Sequence, residues 1–84
     1  MTDTPEIEAE LLAFVQREVF APELAITADT DLVAAGFDSM SLVRMLLFFE
    51  TTYGLWIPEK EINGDTLRNL RTVAALVFRL LHER

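Results

Sequence analysis

Apolar residues recur along this chain at the spacing of helical faces rather than in strict alternation. Over residues 5 to about 19 they stand at Ile7, Leu11, Phe14, Val15 and Val19, with Leu12 beside the stripe. Glu6, Glu8, Glu10, Arg17 and Glu18 fall mostly on the other side, so the spacing predicts an amphipathic first helix. Thr4 before Pro5 reads as its cap, with proline at the first helical position. Pro22 closes this segment, and a connection of about seventeen residues follows, long for a compact bundle. Leu24, Ile26, Leu32 and Val33 are the apolar positions expected to pin it across the helices.

A second apolar segment runs from Ser39 to Tyr53 and stops at Gly54, which suits the residue after a helix. Leu42, Met45, Leu46, Phe49 and Tyr53 have inward spacing, while Met40, Val43, Leu47 and Phe48 continue from Ser39 on a flank. That is more apolar surface than one buried stripe needs, so part of it is either covered by the long connection or left as a docking strip. Leu55-Trp56-Ile57-Pro58 reads as extended, with Trp56 and Ile57 closing the open end of the bundle. A single turn over 59–62, a short third helix over 66–70 and a fourth from Val73 to about His82, capped by Thr72, complete the expected order. The fold class is therefore all-α: a four-helix bundle with three main helices, one short third helix and a long loop between the first two.

Composition narrows the chemistry. The 84 residues contain no cysteine and one histidine, His82, near the end of the chain. Neither a disulfide framework, a thiolate metal site nor a nucleophile–base pair of the usual kinds can be assembled from them. Asp29, Asp31 and Asp38 lack the glycine and glutamate spacing of a calcium loop and read as solvated carboxylates, so no metal is expected. No window approaches the roughly 18 uninterrupted apolar residues of a membrane span, and Met1 to Glu6 lack the basic and apolar regions of a signal peptide. A soluble, cytoplasmic monomer that binds neither membrane nor nucleic acid is the expectation. Fourteen acids against seven bases give a net charge of −7, which favours basic protein partners steered at long range.

The stretch Gly36-Phe37-Asp38-Ser39-Met40-Ser41-Leu42 joins the polar connection to the second helix. Asp38 and Ser39 are both good helix caps. A serine there holds its hydroxyl beside amide N–H groups that have no partner inside the helix, at the end that favours an anion. Leu32-Val33-Ala34-Ala35-Gly36-Phe37-Asp38-Ser39-Met40 resembles the phosphopantetheine attachment motif of the acyl carrier protein family and its peptidyl and D-alanyl relatives. The Ile57-Pro58-Glu59 and Arg71-Thr72-Val73-Ala74-Ala75-Leu76-Val77 runs resemble later parts of the same family, in the correct order.

The resemblance implies one carrier domain over residues 1–84 with the acyl-carrier type of bundle. It implies that Ser39 bears a 4′-phosphopantetheine arm, donated by coenzyme A through a magnesium-dependent phosphopantetheinyl transferase. Asp38 would serve capping and recognition. Cargo would ride on the arm's thiol as a thioester, and the chain itself would be no enzyme. Met40 and Val43 would contact partners, with Arg44 and Leu47 beyond them; those partners are an acyl- or aminoacyl-loading enzyme and downstream synthase or tailoring enzymes. Carriers of fatty-acid type repeat acids along the outer face of the second helix. Here Ser41, Arg44 and Thr51 stand at those places and only Glu50 remains, which is closer to stand-alone carriers of peptide-synthetase and specialised-metabolite pathways. An acyl cargo of polyketide or modified fatty-acid type is the first expectation and an aminoacyl cargo, peptidyl or D-alanyl in type, the second. Outside the family, a small helical interaction adaptor is the other reading.

Overall fold

The structure, a computed structural model, describes residues 3–83. Three α-helices and one short 3-10 turn make up its regular elements, with no strand among the described residues. Helix α1 spans Thr4–Glu18, α2 Ser39–Tyr53 and α3 Leu70–Glu83; the 3-10 turn is Glu59–Glu61. Met1, Thr2 and Arg84 lie outside the described residues.

The helix ends show which polar residues set the boundaries. Asp3, rather than Thr4, caps α1: its carboxylate accepts the Glu6 N–H at 3.0 Å, and Thr4 and Pro5 are already helical. A side-chain acceptor one residue earlier satisfies the free N–H of the first turn, which leaves the threonine nothing to do there. At the other end of α2, Gly54 takes the left-handed conformation (φ 62°), and its N–H reaches Glu50 O at 3.0 Å. Leu55 N–H closes the same end on Phe49 O.

The short third helix does not form. Residues 64–67 are a turn, and α3 begins at Leu70, three residues before the expected start. Side chains have captured the backbone here. Asn63 Oδ1 accepts from the N–H groups of Asp65 and Thr66, and Thr66 Oγ1 accepts from Asn63 N–H. Such local bonds offer the chain an alternative to a helical ladder. The cap of α3 is Asn69 rather than Thr72: Asn69 Oδ1 accepts from Thr72 N–H at 2.9 Å while Thr72 Oγ1 accepts from Asn69 N–H at 3.2 Å. The two residues satisfy each other across the first turn, a reciprocal capping arrangement.

The core is one cluster. Ile7, Leu11 and Val15 of α1 meet Val73, Ala74 and Val77 of α3, and Met45 and Phe49 of α2 complete it. Burying an aliphatic side chain of this size is worth roughly 1.5–3 kcal/mol. The long connection contributes Phe20, Ile26 and Leu32 to the cluster. Leu24 and Val33, both expected as anchors, are exposed instead, at 42 % and 72 %. Leu55 and Ile57 close the bundle as expected of Ile57, but Trp56 between them is 65 % exposed. Extended backbone sends alternate residues to opposite sides, so a chain that buries positions 55 and 57 must turn 56 outward.

Polar bonds tie the connection down as well. Arg71 holds Asp29 through both carboxylate oxygens at 2.8 and 3.0 Å and reaches Glu8 of α1 at 3.6 Å. The backbone adds Arg71 N–H to Ala28 O and Leu32 N–H to Arg68 O. The guanidinium beside Asp29 holds that carboxyl below its ordinary range. Asp31 in turn caps a single turn through Ala34 N–H at 3.0 Å, and Gly36, at φ 109°, reverses the chain after it. Asp29 and Asp31 are exposed, as read from the sequence, and in addition hold the connection through these bonds.

Candidate functional site

The pinned connection delivers residues 36–38 to the N-terminal end of α2. Asp38 is the cap: its backbone is extended, and its Oδ1 accepts both the N–H and the hydroxyl of Ser41 at 2.9 Å. Those bonds, the backbone one foremost, pull the Asp38 carboxyl below the usual carboxylate range. Ser41 is buried, so it does not stand on the outer face where the sequence placed it. Its place three residues after the cap was the available clue, since that position regularly answers a capping residue.

With Asp38 as the cap, Ser39 is the first residue of the helix and is exposed. Its hydroxyl makes no hydrogen bond with any described residue. The first N–H groups of a helix lack internal acceptors, and the helix dipole adds partial positive charge at that end. A free hydroxyl at such a place can carry a phosphate ester with its charge stabilised, and nothing in the fold covers it. The residues fit the group.

Around Ser39 the flank of α2 is uncovered. Met40, Val43 and Leu47 are 62 %, 49 % and 56 % exposed, a ridge running up the helix from the serine. Phe48, expected on the same flank, turns inward and stacks on Phe14 with ring centroids 4.4 Å apart. Arg44 is exposed and donates from Nη1 to the Glu18 carbonyl at 3.4 Å. The predicted site residues Asp38, Ser39, Met40 and Val43 are thereby brought to one end of the molecule, with Arg44 and Leu47 further along α2. His82 is remote in role: its Nδ1–H donates to Phe78 O at 2.9 Å within α3. No cluster of metal-binding side chains is present among the described residues.

Residues 9–77 match the family described as the phosphopantetheine attachment site. This chain belongs to that family. No curated protein matches the carrier chain. The family bears 4′-phosphopantetheine by covalent attachment, and its domains, which are generally non-catalytic, work with a phosphopantetheinyl transferase and partner enzymes. No described helix of the carrier is long and apolar enough to cross a membrane.

Proposed function

We propose that residues 1–84 form one acyl carrier domain, with Ser39 as its attachment residue. The observation that carries the assignment is the exposed, unengaged Ser39 hydroxyl on the first residue of α2, next to a cap whose Oδ1 is taken by Ser41. In the modification, the Ser39 oxygen bonds to the phosphorus of the pantetheine phosphate of coenzyme A. The pyrophosphate P–O bond breaks, adenosine 3′,5′-bisphosphate leaves, and the hydroxyl proton passes to a base of the transferase. Asp38 is a poor candidate for that base, because its carboxyl is lowered and its Oδ1 already accepts from Ser41. Once attached, the group supplies a thiol on a flexible tether, to which cargo is joined as a thioester.

Met40, Val43, Arg44 and Leu47 form the surface that partners read. An acyl group of polyketide or modified fatty-acid type is the cargo we favour; an aminoacyl group, peptidyl or D-alanyl in type, is the second reading, suggested by the Asp38-Ser39-Met40 run and the apolar, acid-poor flank of α2.

The test is intact mass after incubation with coenzyme A and a promiscuous transferase. Wild type gains one phosphopantetheine and Ser39→Ala gains none. Because the Ser39 hydroxyl holds nothing in the fold, Ser39→Ala stays within about 0.5 kcal/mol of wild type in stability. An unchanged wild-type mass overturns the assignment and leaves a helical adaptor as the better account; a modified Ser39→Ala protein overturns Ser39 as the attachment residue.

A further inference from the structure

Most arginines of this chain are already matched by carboxylates. Arg17 pairs with Glu18, Arg68 with Asp65, Arg71 with Asp29 and Glu8, and Arg79 with Glu61 and Glu83. Arg44 has no carboxylate partner among the described residues; its contact is the long bond to the Glu18 carbonyl at the last turn of α1. The chain has twice as many acids as bases, fourteen to seven, yet this guanidinium is left without a counter-charge.

Its position gives the reason. Arg44 stands on the rim of an open groove of about 430 Å³ between the C-terminal half of α1 and α2. Phe14, Leu47 and Phe48 supply its apolar lining, and Arg17 and Glu18 share the rim. The Arg17 charge is answered by Glu18 at 3.0 Å, so the rim carries one uncompensated positive charge beside an apolar floor. Leu47 belongs both to the groove and to the exposed ridge that climbs from Ser39. At the rise of an α-helix it lies about 12 Å from the serine along the axis, so an occupant of the groove is held close to the modified end.

We propose that this groove docks a segment of a partner protein that presents a carboxylate to Arg44 and an apolar side chain to Leu47 and Phe48. Calling that partner an enzyme that meets the Ser39 end rests on the carrier reading; the groove chemistry does not. The proposal runs against bulk charge. A net charge of −7 draws basic proteins at long range. At physiological salt the screening length is about 8 Å, so the contact itself is governed by the charges lining the groove.

Two synthetic amphipathic helical peptides provide the probe. They share one Leu/Phe face and differ only in a flanking Glu or Lys. Each is titrated into the full-length unmodified chain at near-physiological salt and followed by NMR. The Glu peptide binds at least about threefold tighter than the Lys peptide, in line with one exposed ion pair, and shifts resonances of Phe14, Arg44, Leu47 and Phe48. Arg44→Glu reverses the preference, Arg44→Lys keeps it, and Leu47→Ala weakens both peptides. Each variant is compared by its melting curve, and if Arg44→Glu unfolds, Arg44→Gln replaces it and abolishes the preference. Equal binding, preference for the Lys peptide, shifts outside the groove, or no binding of either peptide overturns the proposal. The unmodified chain is used, so these outcomes stand apart from the mass test. A chain that binds as expected but gains no phosphopantetheine refutes the carrier reading alone.

Discussion

Leu32 and Val33 are neighbours in the attachment motif and equally apolar, yet the structure gives them opposite roles. Leu32 is fully buried in the core cluster, and its N–H bonds to Arg68 O at 3.0 Å; Val33 is 72 % exposed. Leu32→Ala removes a side chain from a site closed in by the packed helices. Such a change costs about 2–5 kcal/mol, the lower figure if the connection collapses into the space. A domain of this size has roughly 4–13 kcal/mol in total, so the loss is a large fraction. At about 4–8 °C per kcal/mol, the melting temperature falls by at least roughly 8 °C. Val33→Ala stays within about 0.5 kcal/mol. Urea unfolding measures both, and the slope should remain that of wild type while the Leu32→Ala midpoint drops. Because the same anchor delivers residues 36–38 to the head of α2, Leu32→Ala should also slow modification by the transferase under conditions where the protein is still folded. A Leu32→Ala cost below about 1 kcal/mol, or a Val33→Ala cost as large as that of Leu32→Ala, refutes the placement of the connection.

Two further outcomes follow from polar contacts. Tyr53 donates to Glu10 at 2.6 Å, and burial together with that carboxylate raises its phenol well above the ordinary value of 10. A raised folded value means the contribution is whole below pH 10, where the unfolded tyrosine is still protonated, and is lost as pH rises towards the folded value. Stability therefore falls above about pH 10, and Tyr53→Phe, costing about 1 kcal/mol near neutrality, removes that part of the decline. As this is the chain's one tyrosine, phenolate absorbance against pH checks it directly. At the other end of the scale, Asp38 and Asp29 are lowered by Ser41 and Arg71 respectively. Their contribution is present above about pH 4 and is lost as pH falls through the lowered folded values. Ser41→Ala removes one donor to Asp38, so the Asp38 carboxyl titrates at higher pH, read by carboxyl NMR, while Ser41→Thr restores it; an unchanged titration in Ser41→Ala would contradict the cap geometry.

Much of this protein can be read from periodicity. Ile7, Leu11, Phe14 and Val15 recur at helical intervals and are buried; Ser39 to Tyr53, closed by Gly54, forms α2 with those bounds. Propensity and amphipathic spacing act over a few residues, so sequence exposes them directly. The stretch before Ser39 was legible for a similar reason, since cap, turn and serine are adjacent. The sequence did not decide between Asp38 and Ser39 as the cap. That choice depends on which side chain reaches the N–H of Ser41, and it determines which residue keeps a free hydroxyl.

What tertiary structure alone decided concerns residues whose local pattern is ambiguous. Leu24, Val33 and Trp56 are as apolar as Leu32 and Ile57, and nothing within a few positions says which of them the packed helices will cover. The turn that replaces the short third helix depends on Asn63 and Thr66 capturing backbone groups, a competition that helix propensity does not register. The Arg71 bridge to Asp29 joins residues 42 positions apart, and the solitary charge of Arg44 is defined by where every carboxylate finishes. Burial and charge pairing are properties of the assembled chain: each depends on neighbours that folding supplies, whereas helical spacing is complete in the order of the residues.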